Sequence, residues 1–354
     1  MACQRRDAGG APQTSGVGRS AVRPGAAARV GIRGSALRRA RARSRDRRAR
    51  DGDRRGAGDR TTDVIAIVGP TASGKTALAL RVAERLDAEV VSADSRLVYR
   101  GMDVGTAKPS REERARVRHH LIDVVEPGER YDVYRYQRDA RAALDDIRGR
   151  GRVAILVGGT GLYVRAVLDG LDLAALPHDA ALRSRLESEP PEAVHARLRE
   201  LDPESAARVD PRNVRRLVRY LEAATLARGP VRRRRTGPRV PALRIGLRPP
   251  REALVGAIER RVRDMVTSGV LDETRALVER GLDRRLPSMT AHGYAHWAAH
   301  LRGEIDLETA VVRTARDVRA YSRRQMTWFR RDPEIRWFDP TREDPLALIL
   351  EAAA

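Results

Sequence analysis

The chain has 354 residues, enough for one large domain or for a core domain that carries a substantial insertion. No stretch approaches 18 uninterrupted apolar residues, which excludes a transmembrane helix, and the single cysteine, Cys3, excludes an internal disulfide and fits a reducing, cytoplasmic compartment. The formal net charge of +22 favours a polyanionic partner, although a bias toward arginine on a merely soluble surface is an open alternative.

Residues 1–60 are predicted to form a disordered, arginine-rich extension. They contain 17 Arg, 5 Asp and no aromatic residue, and they show no apolar periodicity. Three explanations remain open: a dispensable extension or product of an upstream translation start, a basic arm that strengthens binding of a polyanion such as RNA, and a transit peptide.

From residue 64 onward the sequence predicts alternating strands and helices. The apolar runs 64–68, 89–91 and 153–157 are typical of buried strands. Leu78, Val82 and Leu86 recur at helical spacing, and a further helix is predicted around 137–147. This alternation predicts an α/β fold with a parallel sheet covered on both faces, whose first part spans residues 61–172.

The second half of the chain is predicted to be mostly helical. Residues 173–238 are expected to form a helical insertion with proline breaks, ending in a basic, mobile loop at 232–235. Residues 239–340 are expected to complete the core with one more strand, at 242–247, and several helices. Residues 341–354 are expected to form a C-terminal tail.

The strongest local signal is the segment GPTASGKT between the first strand and the first helix. It matches the phosphate-loop (P-loop) pattern G-x-x-x-x-G-K-[ST] in the strand–loop–helix context that the pattern requires. Backbone N–H groups surround phosphate oxygens, a lysine adds a compact charge, and the last hydroxyl binds Mg²⁺. We therefore predict a P-loop NTPase-like core with Mg²⁺ as cofactor, Thr76 as its ligand, and phosphate bound by Gly69, Pro70, Thr71, Ala72, Ser73, Gly74, Lys75 and Thr76.

Two further features bear on the phosphate chemistry. Only two of the 70 basic residues are lysines, Lys75 and Lys108, which indicates positions that need a compact ammonium, and both lie in candidate phosphate-handling segments. Most P-loop enzymes carry an acidic residue after a second strand, but the strand at 153–157 is followed by Gly-Gly-Thr-Gly. Asp94 is the nearest acidic candidate, as a metal ligand or as a general base.

Several segments together resemble the tRNA dimethylallyltransferase (isopentenyltransferase) family. They are GPTASGKT at 69–76, SADS at 92–95 followed by Val98 and Tyr99, GMDVGTAKP at 101–109, HHLID at 119–123, VGGTGLY at 157–163 and RRQMTWF at 323–329. The match runs in order from about residue 64 to 338. GTAKP and GGTGLY are rare strings, so their joint presence is specific.

The resemblance implies transfer of a dimethylallyl group from dimethylallyl diphosphate to N6 of the adenosine 3′-adjacent to the anticodon in tRNA. It implies that the P-loop binds the donor's diphosphate and not ATP, that Asp94 accepts the N6 proton, and that Thr160 positions the acceptor. Arg261, on a helix predicted at 258–265, would neutralise the leaving diphosphate together with Lys75 and Mg²⁺. The adenosine would be flipped out of the anticodon loop.

The same resemblance implies contacts to the tRNA anticodon stem-loop, although Leu97 stands where many family members have Gln. The expected tRNA-binding residues are Asp94, Ser95, Arg96, Leu97, Thr160, Arg183, Arg215, Arg216, Leu217, Val218, Arg219, Gly293 and Tyr294. For the arginines on helices, which include five between 313 and 324, a solvated helix face is an equally simple interpretation.

One stretch departs from the family pattern. Around Gly293 and Tyr294 the family usually has an aliphatic residue before the glycine and a basic residue followed by Glu after the tyrosine, where this chain has His292, Ala295 and His296. Histidines recur here at i, i+4 and i+8. No carboxylate or cysteine completes a metal-binding set beside them, so we interpret them as a polar helix face.

Three alternatives remain open from the sequence. A P-loop kinase of a nucleoside or small metabolite explains neither the basic helical half nor GTAKP with GGTGLY. An adenylate isopentenyltransferase that acts on free nucleotides does not need the long helical insertion. If the protein were an RNA-binding ATP switch, the Asp94 region would have no function. The expected partners are tRNA and dimethylallyl diphosphate, and no membrane is expected as a partner. We expect the protein to be a cytoplasmic monomer.

Overall fold

The computed structural model of the chain describes residues 64–171, 177–231, 238–282 and 286–353. The predicted extension at 1–60 and the predicted basic loop at 232–235 lie outside these described residues. Within them, no helix combines the length and the apolar character that crossing a membrane requires.

Six parallel strands form one sheet in the order β3-β2-β4-β1-β5-β6. All carboxyl ends therefore lie at the same edge of the sheet. The predicted parallel sheet is confirmed, while the two short outer strands are not predicted from the sequence. The strands are β1 (Val64–Val68), β2 (Glu89–Ser92), β3 (His119–His120), β4 (Ala154–Gly158), β5 (Leu243–Leu247) and β6 (Arg336–Phe338).

Thirteen α-helices and one short 3₁₀ helix (Ser288–Thr290) lie in the described ranges. The first four accompany the strands, the next four lie between 180 and 227, and the last five belong to the C-terminal half. They are α1 (Lys75–Leu86), α2 (Arg111–Arg116), α3 (Val133–Gly149), α4 (Gly161–Leu168), α5 (Ala180–Glu187), α6 (Pro191–Leu201), α7 (Pro203–Arg208), α8 (Val214–Ala227), α9 (Arg251–Thr267), α10 (Val270–Glu279), α11 (Tyr294–Leu301), α12 (Leu307–Phe329) and α13 (Leu346–Ala353).

Side chains of the central strand β1 alternate between two hydrophobic clusters. Val64, Ala66 and Val68 pack on the face covered by α3 and α4, whereas Ile65 and Ile67 pack on the face covered by α1 and α13. This is the period of two that a pleated strand imposes. Because both faces are buried, the strand is apolar at every position, and the prediction of a sheet covered on both faces is confirmed.

Two further clusters organise the helical parts. Helices α5 to α8 surround a cluster of their own, which includes Leu186, Leu198 and Leu221. Helices α9 to α12 surround another, and Ala72 of the P-loop packs against it. The phosphate loop is therefore supported by the C-terminal helices as well as by the sheet.

The segment expected to be a C-terminal tail contains a helix. Ile349 and Ala353 of α13 are buried in the cluster that α1 lines, and Arg81 of α1 pairs with Asp344 at 2.5 Å. The run LALIL is apolar at every position, so it shows no helical period in the sequence.

Candidate active site

The P-loop joins β1 to α1 at the carboxyl edge of the sheet. Gly74, with φ of +88°, caps α1 in the left-handed region, so the first N–H groups of the helix face the loop. Lys75 donates from Nζ to the carbonyl of Pro70. The hydroxyl of Ser73 is buried without a hydrogen-bond partner among the described residues. The loop thus offers backbone donors, a hydroxyl and an ammonium to an anion.

Two cations meet at this loop. Arg261 of α9 lies with Nη1 3.4 Å from the hydroxyl of Thr71. Burial, followed by repulsion from Arg261, lowers the pKa of Lys75 to about 7, and Asp94 partly offsets both. Burial also lowers the pKa of Arg261. In the described part of the chain their hydrogen-bond partners are neutral loop oxygens, so this site favours an anion that lies against both cations.

Asp94 follows β2 at the same edge of the sheet. Its Oδ1 accepts the backbone N–H of Arg96 at 2.8 Å, a turn that holds the carboxylate in place. The charge of Asp94 acts to raise the pKa values of Lys75, Arg261 and Tyr321. The structure therefore brings the predicted base and the two predicted cations into one site.

Thr160 precedes α4 and faces the residues that follow β2. Its hydroxyl lies 3.1 Å from the backbone N of Ser95 and 3.3 Å from the hydroxyl of Ser95. Tyr321 of α12 also lies beside this threonine. Thr160 is thus joined to the strip at 94–97, whose Arg96 side chain donates to the carbonyl of Pro287 at 2.6 Å.

The segments GGTGLY and RRQMTWF, far apart in the sequence, pack directly on each other. A Cβ on Gly159 would collide with the side chain of Gln325, and a Cβ on Gly161 would collide with Trp328. These glycines therefore allow the C-terminal half of α12 to lie close against the loop that follows β4.

The GMDVGTAKP segment is held by a residue that the sequence did not single out. Glu273 of α10 accepts the backbone N–H groups of Asp103, Val104 and Gly105 at 2.5, 2.8 and 2.9 Å, and the hydroxyl of Tyr294 at 2.7 Å. Val104 packs against the same cluster as the P-loop. A lone glutamate on a helix gives no sequence signal for such an anchoring contact.

The interpretation of Lys108 as a phosphate-handling residue is contradicted. Its Nζ donates to Asp103 at 2.6 Å, to Asp123 at 2.5 Å and to the carbonyl of Tyr99 at 2.5 Å, and its side chain is 1% exposed. All three ammonium donors are used inside the protein, so none remains for a phosphate.

The predicted tRNA-binding arginines of the insertion divide into two pairs. Arg183 and Arg219 reach the fully buried carboxylate of Glu222 at 2.7 and 2.8 Å and connect α5 to α8. Arg215 and Arg216 are exposed on α8. The second pair is the one available to an RNA, whereas the first stabilises the insertion.

Four other positions of the expected RNA-binding set are buried. Leu217 and Val218 are buried in the cluster of the insertion. Tyr294 is fully buried, and Gly293 has a φ of +108° with no room for a Cβ beside Trp297. The side chains of Leu217, Val218 and Tyr294 therefore pack inside the protein, and Gly293 packs closely against Trp297.

The three histidines do not share one helix face. Helix α11 begins after His292, whose pKa is lowered to about 4 by burial and then by the nearby Arg96 and Arg324. Each histidine has its own partner. The ring centroids of His292 and Tyr321 lie 4.5 Å apart. A ring nitrogen of His296 lies 2.9 Å from the carboxylate of Asp317, and one of His300 lies 3.1 Å from the carbonyl oxygen of Ile305.

A groove of about 970 Å³ lies on the other side of the P-loop from Asp94, beyond the carboxyl ends of β5 and β6. Its apolar lining includes Ile258 and Met326, together with Pro70 of the P-loop. Five arginines surround it: Arg248, Arg251, Arg319, Arg323 and Arg330. A cationic groove therefore leads to the phosphate loop.

Comparison with known proteins places this site among enzymes that act on tRNA. A family model described as IPP transferase matches residues 97–332, and one described as isopentenyl transferase matches residues 62–125. A tRNA dimethylallyltransferase of Anaeromyxobacter sp. (strain K) is 49% identical over 285 residues, covering 78% of this chain and 93% of that protein. One from Thermomicrobium roseum is 44% identical and covers 78% of this chain and 86% of that protein.

Solved structures agree with these relatives. The tRNA isopentenylpyrophosphate transferase of Bacillus halodurans aligns with a TM-score of 0.61 and 41% identity, over 82% of this chain and 94% of that one. A eukaryotic dimethylallyltransferase acting on tRNA aligns with a TM-score of 0.66 and 26% identity, over 78% of this chain and 73% of that one.

Proposed function

We infer the reaction from the premise that this chain belongs to the tRNA dimethylallyltransferase family. We propose that it transfers a dimethylallyl group from dimethylallyl diphosphate to N6 of the adenosine 3′-adjacent to the anticodon, releasing diphosphate. The observation that carries the donor site is the pair of desolvated cations at the P-loop, Lys75 and Arg261, beside Asp94.

The residues have separate roles in this displacement. The lone pair of N6 attacks C1 of the allylic group as the C1–O bond breaks, and the electron pair leaves with the diphosphate. Lys75 and Arg261 neutralise the charge that develops on the leaving oxygen. Asp94 accepts the proton that N6 loses, and Thr160, bonded to Ser95, positions the strip that holds the adenosine.

The site's residues fit a magnesium ion held mainly by the diphosphate. Thr76 has an exposed side chain in the first turn of α1, and the carboxylate of Asp94 lies close enough to the neighbouring Lys75 to act on its pKa. Such hard oxygen ligands in small number are what Mg²⁺ uses beside phosphates. When bound, the ion would neutralise part of the charge on the leaving diphosphate.

The two substrates are expected to reach the P-loop from opposite sides. The arginine-lined groove beyond β5 suits an allylic diphosphate, because its lining is apolar and its rim is cationic. The strip formed by Asp94, Ser95, Arg96 and Leu97 follows β2 on the other side of β1. This separation keeps N6 and the leaving group on opposite sides of C1.

The direct test is a transfer assay. The purified protein is incubated with labelled dimethylallyl diphosphate, Mg²⁺ and unmodified tRNA, and the nucleosides are identified after digestion. We expect label on N6 of the adenosine 3′ to the anticodon. Free AMP and ATP are offered separately, since label on AMP would indicate an adenylate isopentenyltransferase, and ATP turnover without tRNA labelling would indicate a kinase.

Exchanging Arg215 and Arg216 together for glutamine is expected to weaken tRNA binding. Each lost phosphate contact should reduce the slope of log K against log salt by roughly one and affinity by several-fold at physiological salt. The measurement is tRNA binding across a salt series. The matched control exchanges two exposed arginines outside the insertion, Arg85 and Arg111, for glutamine. Equal weakening in both double variants would contradict a binding site on α8.

A further inference from the structure

Gln325, near the C-terminal end of α12, connects the two loops of the site through a single amide group. Its Oε1 accepts the backbone N–H of Thr71 in the P-loop at 2.8 Å. Its Nε2 donates to the carbonyl of Gly159, beside Thr160, at 3.0 Å. Gln325 is 4% exposed. One buried side chain therefore bonds to the loop that faces the diphosphate and to the loop that faces the acceptor.

The surroundings fix this amide in place. Gly159 leaves no room for a Cβ, because a Cβ there would collide with the amide nitrogen of Gln325. Tyr321, one turn earlier on α12, lies beside both Gln325 and Thr160. Thr71 is also contacted on its hydroxyl by Arg261. The bridge thus ends, on each side, at a residue that contacts a predicted catalytic group.

Glutamine is chemically suited to this bridge. The P-loop end requires an acceptor and the Gly159 end requires a donor, and an uncharged amide provides both without adding charge beside the cations. A carboxylate would lack the donor, and an apolar side chain would leave the buried carbonyl of Gly159 unpaired.

We propose that Gln325 is a positioning residue for the transfer, setting the separation between the donor loop and the acceptor loop. This inference rests on the proposed function. Gln325 does not contact the reacting atoms and acts through Thr71 and through the pair Gly159 and Thr160. A misplacement of about 1 Å between reacting groups costs on the order of 100-fold in rate. The loss on its removal should therefore appear in kcat, with both substrates still bound.

The test compares Gln325→Met with Gln137→Met. Gln137 of α3 is a matched buried glutamine, 8% exposed, whose Nε2 donates to the carbonyls of Ala166 and Leu171 and contacts neither loop. We expect kcat to fall about 30- to 100-fold in Gln325→Met, with KM for each substrate within about threefold of wild type. Gln137→Met should keep the wild-type kcat, although its Tm should fall by about as much as the Tm of Gln325→Met.

The outcomes separate a positioning role from a structural one. If the two variants have equal kcat, or if Gln325→Met changes only KM, the inference about Gln325 is wrong. The proposed function would still stand, because the wild-type protein transfers the label. A wild type that transfers no label would overturn both. If Gln325→Met does not fold, Gln325→Asn keeps the amide but is one methylene too short to reach both loops. The same comparison with Gln137→Asn then applies, and an unchanged kcat in Gln325→Asn again rejects the inference.

Discussion

Replacing Asp94 with asparagine is expected to lower kcat about 1,000-fold, within the range of roughly 100- to 10,000-fold that a positioned proton acceptor contributes. Asparagine retains an oxygen that can accept the N–H of Arg96, so the turn after β2 should persist. It cannot accept the proton from N6. Single-turnover transfer to tRNA, measured with saturating dimethylallyl diphosphate, isolates this step from substrate binding.

The matched control for this variant is Asp210→Asn. Oδ1 of Asp210 accepts the backbone N–H of Arg212 at 3.0 Å in the same kind of turn, but it lies in the insertion. This control should transfer at the wild-type rate. Should Asp94→Asn retain more than about a tenth of the wild-type kcat, smaller than any typical general-base effect, the proton acceptor must be another group.

The core of this fold could be predicted from the sequence because its strands are buried on both faces. A run such as VIAIV is apolar at every position, as a strand buried on both faces requires, and its length of five residues and the glycine that follows favour a strand over a helix. The outer strands β3 and β6 have two and three residues, too short for any period, and they gain stability only from the strand beside them. These two segments form strands because they pair with a neighbouring strand of the sheet, and their local sequence pattern does not predict it.

The candidate site was predictable to the extent that its chemistry lies in contiguous residues. The P-loop works through successive backbone groups, so eight neighbouring letters identify it. Asp94 was a candidate from its position after the second strand, with its role left open, whereas Arg261 lies far along the chain and only the family resemblance joined it to the loop. Glu273 and Gln325 act through several long-range hydrogen bonds, and no sequence pattern shows which groups such bonds join.

The errors in the site have the same origin. Lys108 and Arg183 are cations in plausible positions, and the sequence cannot show that carboxylates elsewhere in the chain already bind them. A cation predicted to bind a ligand must therefore be checked for carboxylates of the protein that already bind it. Among the described residues, Lys75 and Arg261 keep neutral hydrogen-bond partners, so both remain available to the proposed donor.

Replacing Lys75 with methionine is expected to lower kcat/KM for dimethylallyl diphosphate about 100- to 1,000-fold, the usual loss when one group that stabilises a developing oxyanion is removed. A second effect concerns pH. The pKa of Lys75 is lowered to about 7, chiefly by burial and next by Arg261. A bound diphosphate favours the ammonium form and must raise that pKa, so binding above pH 7 takes up a proton.

The sign of the pH dependence follows from this proton uptake. Below pH 7 Lys75 is already protonated in the free protein, and its contribution to affinity is constant. As the pH rises above 7 the association constant for diphosphate should fall, by up to tenfold per pH unit, until the pKa of the bound state is reached. Calorimetry between pH 6 and pH 9 gives the association constant for diphosphate on wild type and on Lys75→Met. The variant lacks the ionisation of Lys75 and retains that of the ligand, so the difference between the two pH profiles gives the contribution of Lys75.

Because the chain contains only two lysines, the titration can also be observed directly. Protein labelled with ¹³C-lysine should give two side-chain signals, and the one that Lys75→Met removes should titrate near pH 7. Adding diphosphate should move its midpoint upward, and Arg261→Met should do the same without diphosphate, because the repulsion that lowers the pKa is lost. A Lys75 signal that remains protonated through pH 9 would show that Lys75 is neither as buried nor as strongly repelled by Arg261 as in this structure, and the donor site would then need another arrangement of charge.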